Sequence, residues 1–300
     1  MSTTATTPGV AEFTPAFPFC VGIDSDGCVF DTMELKHKEC FAPQFIRHFG
    51  LQAVSRFARE VWEFVNLYSR TRGINRFPAL SNALNLLAER PEVQARGVTP
   101  WNTEPLDAWL ANAAQFSNDA LRAEIDAGAA ELAPVLAWSE AVNAAIADMV
   151  SAVPPFPGVR ESLQRLSETA DVVVVSQTPT DALTREWAEH DLTGYARLIL
   201  GQEAGSKSEH LRLVTHGRYE PKHVLMIGDA PGDFRAARAN HALFFPIVPG
   251  AEEQSWSRFY TEALDLFLAG EYTADYEAAL LQEFNAGLPE RPPWPSTAPA

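Results

Sequence analysis

Four unbroken apolar runs in the second half of the chain, DVVVVS (171–176), ARLILG (196–201), HVLMIGD (223–229) and ALFFPIV (242–248), alternate with segments of helical periodicity. A strand with one wet face alternates apolar and polar residues, whereas a continuous apolar run suits a strand covered on both faces. Such runs separated by helices define a parallel sheet, because parallel neighbours need a crossover connection. A fifth run, FPFCVGID (17–24), lies far upstream and supplies the remaining strand. Between them, residues 32–150 carry Ala and Leu at three- and four-residue spacing (ALSNALNLLAER, EPLDAWLANAAQF, EAVNAAIADMV), the pattern of an all-helical insertion. The punctuation PPFPGV (154–159) marks the return to strand and helix alternation.

These patterns predict an α/β protein with a Rossmann-like parallel sheet and helices on both faces. The expected organisation is a flexible N-terminal tail over 1–16, a sheet-bearing core over 17–31 and 151–250, an inserted helical domain over 32–150, and a C-terminal helical extension over 251–300. That extension ends in a Pro-rich stretch, LPERPPWPSTAPA, that cannot pack regularly. Its aromatic residues, Trp256, Phe259, Tyr260, Phe267, Tyr272 and Tyr276, are expected to pack on the core or on a second subunit.

Ligands of open parallel sheets bind outside the carboxyl ends of the strands, so the residues just after each apolar run carry the chemistry. Asp24, Asp26 and Asp31 follow the first run in D-S-D-G-C-V-F-D, and Ser176 follows the second. Lys207 opens the helix after GQEAGS, and GDAPGD supplies Asp229 and Asp233. Lysine is scarce, occurring only at Lys36, Lys38, Lys207 and Lys222, which makes its presence at a strand end informative.

This ordered set resembles the haloacid dehalogenase superfamily over residues 17–31 and 151–250. The resemblance implies a Mg²⁺-dependent enzyme in which Asp24 attacks phosphorus and Asp26 serves as acid and then base. It further implies metal ligation by Asp24, Asp229 and the backbone carbonyl of Asp26, with Asp233 orienting those ligands. Lys207, the Ser176 hydroxyl and the backbone amides beside it at Gln177 would hold the phosphoryl group. An acid two residues after the nucleophile favours a phosphate ester over a carbon–halogen bond. The insertion resembles the helical caps that close over small substrates, so the expected substrate is a small phosphorylated metabolite. An intramolecular phosphomutase and a phospholigand-binding protein without turnover stand as alternatives. Within the insertion, SRTRGINRF places Arg70, Arg72 and Arg76 as candidate substrate contacts.

Composition removes other classes. Asp and Glu number 39 against 23 Lys and Arg, and a net charge of -16 disfavours a nucleic-acid partner. No segment is apolar for long enough to span a bilayer, and the start has no charged-then-apolar signal pattern. The three cysteines, Cys20, Cys28 and Cys40, lack metal-ligand spacing and suit a reducing, cytoplasmic compartment. Cys28 is expected to be a buried, inert thiol, Asp31 to stabilise a turn, and the histidines to be surface or hydrogen-bonded core residues. The state of assembly is expected to be monomer or homodimer.

Overall fold

The structure is a computed structural model and describes residues 9–10 and 12–295. The chain divides into two compact units, Met1–Thr32 with Ala152–Gly287, and Met33–Ser151 with Leu288–Ala300.

The first unit is built on five parallel strands: β1 (Cys20–Ile23), β2 (Asp171–Val175), β3 (Leu198–Leu200), β4 (Val224–Gly228) and β5 (Leu243–Pro246). Their order in the sheet is β3-β2-β1-β4-β5, so the first strand in the chain is the central one. The register pairs Ile23 with Val174 on one side and with Ile227 on the other, which brings the ends of β1, β2 and β4 level. Successive side chains enter opposite layers. Val21, Ile23, Val172, Val174, Leu225 and Ile227 join one apolar cluster, while Cys20, Val173, Val175, Val224 and Met226 join the other. That division is why the runs are unbroken in sequence. Gly22 lets the helix Lys207–Thr215 sit tightly on the second face, since a Cβ there would come within 2.7 Å of Leu211 Cδ2.

The C-terminal helices pack their aromatic residues on this core. Trp256, Phe259 and Phe267 are fully buried in the first cluster. The helix Ala274–Ala286 and the turn before it cover the edge of β5: Phe244 donates its N–H to Glu277 Oε1 at 2.6 Å and accepts from the Tyr272 hydroxyl at 2.7 Å. Both outward backbone groups of an edge residue are thereby satisfied, which closes the edge to other strands.

The N-terminal segment is expected to be flexible. Of it, residues 1–8 and 11 lie outside the described residues, but the remainder is anchored. Val10 and Phe13 are buried, and the Ala16 and Phe17 amides donate to Asp171 Oδ2 at 2.9 and 3.1 Å. The buried Asp171 carboxylate also accepts from Tyr219 and Arg197, so several donors draw this segment onto the start of β2.

The second unit is helical. Its core is aromatic, with Trp62 in contact with Phe41, Phe45 and Trp138. The Pro-rich end of the chain has no regular structure, yet it packs here. Leu288 is buried, Pro289 accepts from the Arg70 amide at 3.3 Å, and Trp294 meets Phe64 edge-on. The Arg90 guanidinium lies 4.6 Å from the Phe57 ring and 4.6 Å from the Trp294 ring, and also pairs with Glu60 and Glu92. Among the described residues, no helix is long and apolar enough to cross a membrane.

Candidate active site

The site lies at the carboxyl ends of β1, β2 and β4. Asp24 continues β1, its amide donating to the Ile227 carbonyl at 3.0 Å. The chain then turns back around the Ser25 carbonyl, which accepts from the amides of Val29 and Phe30 at 2.9 and 3.1 Å. Gly27, at φ 75°, supplies the left-handed residue this turn needs. The turn is braced from a distance: the Trp256 indole donates to the Cys28 carbonyl at 2.8 Å, and the Trp187 indole donates to Ser25 Oγ at 3.1 Å. Neither brace is legible in the sequence, because each joins segments far apart in the chain.

Three carboxylates converge there. Asp24, Asp229 and Asp233 are buried, and each offers an oxygen within 4.8 Å of the others. Among the described residues this is the one group of carboxylate, imidazole or thiolate side chains so arranged. The Lys207 ammonium bridges two of them, 2.7 Å from Asp24 Oδ2 and 2.6 Å from Asp233 Oδ1. The Ser25 amide donates to the other Asp24 oxygen at 2.8 Å, and the Ala230 amide donates to Asp233 Oδ2 at 3.0 Å. Gly228 admits this arrangement, since a Cβ there would lie 2.4 Å from the Asp233 side chain.

The electrostatics follow from burial and like charge. Burial raises the Asp24 pKa well above the usual carboxylate range; Lys207 opposes the shift, while Asp233 and Asp229 add to it. Asp233 is raised for the same leading reason, with Lys207 again opposing. For Lys207 burial pulls downward, but the two carboxylates outweigh it and raise the pKa. A hard divalent cation fits this donor set: three carboxylates crowded in a site of low polarity repel one another until a cation or protons neutralise them.

Asp26 stands apart from that cluster. Its two oxygens accept from different hydroxyls, Oδ1 from Thr32 and Oδ2 from Thr178 at 2.7 Å. Ser176, at the end of β2, is buried, and its Oγ accepts from the Thr178 amide at 3.2 Å. The exposed Gln177 directs Nε2 to the Gly205 carbonyl at 2.9 Å, so its side chain ties two loops together. Asp31 is exposed at the end of the turn. Cys28 is wholly buried and its thiol pKa is raised by burial first and by Asp24 next, consistent with an inert thiol.

One expectation is corrected. Arg72 is 2% exposed and donates to the Leu67 carbonyl at 2.9 Å. Arg76 donates to Ser139 Oγ at 3.0 Å and Asn143 Oδ1 at 2.6 Å and covers the Phe41 ring. Arg72, being buried, must find its acceptors inside the helical unit and is not presented as a substrate contact, whereas Arg76 is half-buried. Arg70 is exposed and lines a cavity of about 270 Å³ with Glu89 and Glu290. Among the histidines, His210 is fully buried, with the Gly205 and Gly201 carbonyls beside its ring.

Residues 112–245 match the family described as haloacid dehalogenase-like hydrolase. That segment contains Ser176, Lys207, Asp229 and Asp233, while Asp24 and Asp26 lie before it. No curated protein matches the chain. Among solved structures, the chain is similar to a haloacid dehalogenase-like family hydrolase from Streptococcus pneumoniae at 12% identity, covering 79% of this chain and 90% of that one with a TM-score of 0.48. It is also similar to a haloacid dehalogenase-like family hydrolase from Xanthomonas campestris at 14% identity, covering 90% and 98% with a TM-score of 0.45. A third, a haloacid dehalogenase-superfamily hydrolase from Geobacter sulfurreducens, is 18% identical over 76% and 86% with a TM-score of 0.39. The matched segment carries four of the six groups at the strand ends, and the parallel sheet and the converging carboxylates accord with that match.

Proposed function

We propose that the protein is a magnesium-dependent phosphatase acting on a small phosphorylated metabolite through a phosphate ester on Asp24. The observation that carries this reading is the Lys207 ammonium set between Asp24 and Asp233, with Asp229 closing the group of carboxylates. A carboxylate attacks a phosphate dianion only if the repulsion between them is cancelled, and this constellation supports both the cancellation and the aim.

Asp24, Asp229 and the Asp26 backbone carbonyl would hold Mg²⁺, with Asp233 fixing Lys207 and orienting the ligands. When bound, the cation would offset the charge of the phosphoryl oxygens. An Asp24 oxygen forms the new bond to phosphorus while the bond from phosphorus to the ester oxygen breaks, and Asp26 gives that leaving oxygen a proton. Water then attacks phosphorus, Asp26 takes its proton, and the bond between Asp24 and phosphorus breaks to release inorganic phosphate. Lys207 and the Ser176 hydroxyl hold phosphoryl oxygens through both halves. The choice of a small substrate rests on the resemblance of the inserted helical unit to caps of that kind. Three free, buried cysteines favour the cytoplasm.

The test is hydrolysis of an aryl phosphate with Mg²⁺ and with chelator. Wild type should release phosphate only with the metal, and Asp24→Asn should lose at least about a hundredfold, the scale expected for losing a nucleophile. Undiminished turnover by that variant would remove Asp24 from the chemistry.

A further inference from the structure

Thr178 has no place in the reading so far, yet the structure fixes its hydroxyl with unusual care. Its amide donates to Ser176 Oγ at 3.2 Å, and its carbonyl accepts from the Gln202 amide at 3.1 Å. Gly201 packs beneath: a Cβ at that position would lie 2.6 Å from the Thr178 carbonyl oxygen and 2.5 Å from the Thr180 nitrogen. No side chain larger than hydrogen leaves this loop in place. The backbone of Thr178 is thus held by the ends of two neighbouring strands, β2 and β3, and its hydroxyl reaches Asp26 Oδ2 at 2.7 Å. The other Asp26 oxygen accepts from Thr32, in the same unit of the chain.

We infer that Thr178 is a positioning residue for proton transfer: its hydroxyl fixes the Asp26 carboxylate in the orientation from which it protonates the leaving oxygen. The inference rests on the proposed phosphatase reading and adds a residue to it. A short acid such as aspartate turns about two bonds, and a carboxylate turned away from the ester oxygen delivers no proton however well the rest of the site is formed. Holding one carboxylate oxygen by a donor on the rigid sheet restricts that rotation. The alternative, a turn residue that merely satisfies its own hydroxyl, makes a different forecast. It would cost stability, and it would slow all substrates alike.

The experiment compares Thr178→Val, which keeps the shape, with Thr178→Ser, which keeps the hydroxyl. The rate constant kcat/KM reports the steps up to the first irreversible one, here the transfer to Asp24. It is measured for a nitrophenyl phosphate, whose leaving group needs no proton, and for an alkyl phosphate, whose leaving group does. Thr178→Val should lose about tenfold or more on the alkyl ester and less than about threefold on the nitrophenyl ester, part of the range that general acids supply. Thr178→Ser should restore the alkyl ester to within about threefold of wild type. Equal losses on both esters, or no loss on either, overturn the assignment. A crystal structure of Thr178→Val decides the same point without turnover: the Asp26 carboxylate should rotate away from its wild-type position, and an unmoved carboxylate overturns the inference. Were wild type to hydrolyse neither ester, the phosphatase reading would fall, while the crystallographic comparison would still decide whether Thr178 holds Asp26.

Discussion

Replacing Lys207 by methionine isolates the electrostatic problem on which this site is built. The lysine side chain is 17% exposed, and its partners Asp24 and Asp233 are 5% and 0% exposed, so water screens little of the interaction. Methionine keeps most of the volume and removes the charge. Breaking a buried ion pair by deleting one partner costs about 3–5 kcal/mol, because the remaining charge is left uncompensated. Here two carboxylates lose their cation while Asp229 remains beside them. The loss is limited by protonation. Burial already raises the Asp24 and Asp233 pKa values, and Lys207 is the group that opposes both shifts, so the variant raises them further. The folded variant then binds more protons than its unfolded chain, and its stability falls as pH rises, by about 1.4 kcal/mol per pH unit for each proton retained.

Urea unfolding at pH 5, 6.5 and 8 in chelator should therefore show a loss of about 3 kcal/mol or more at pH 8 that shrinks toward pH 5. Mg²⁺ at about a hundred times its dissociation constant should return about 2.7 kcal/mol, the mass-action value for a ligand bound only by the folded state. A pH-independent loss below about 1 kcal/mol would mean that the three carboxylates are not held together by this ammonium, and the reasoning would fail.

Gly228→Ala places a methyl 2.4 Å from the Asp233 side chain and must displace it, with loss of the Ala230 amide bond. A destabilisation of about 2–4 kcal/mol is expected, with a smaller thermal shift on adding Mg²⁺, and an unchanged melting temperature would refute it. His210 gives the acid response of the fold. Burial, then Lys207, lowers its pKa to about 4, with the Gly205 and Gly201 carbonyls opposing only in part. Because the unfolded chain takes the proton first, its contribution is complete above the unfolded value of 6.5 and is lost as pH falls toward 4. Across that window wild type should lose up to about 3 kcal/mol that His210→Leu retains, measured as the difference between their unfolding free energies against pH. Parallel pH profiles would show that the imidazole is not the responsible group.

Much of the candidate site was legible because its residues stand at strand ends, and strand ends are visible where an apolar run stops. Asp24, Ser176 and Asp229 each follow such a run directly, and Lys207 and Asp233 begin the helices that come next. Arg72 misled because a charged side chain in sequence gives no sign of its burial. Arg72 and Arg76 serve carbonyls and amides inside the helical unit, and local composition cannot reveal such partners. The Pro-rich end has no regular structure, as its prolines predict, and irregular backbone does not prevent Leu288 and Trp294 from packing.

By itself the sequence determined the sheet, its parallel sense and the residues at its carboxyl ends, because periodicity and strand termination are local properties of the chain. Tertiary structure alone decided that Lys207 binds Asp233 as well as Asp24, that Thr178 faces Asp26, that Trp256 braces the turn after β1, and that Glu277 seals the sheet edge. Each of these contacts joins segments separated by many residues, and its partner is selected by the packing of whole helices against the sheet, which no local pattern encodes.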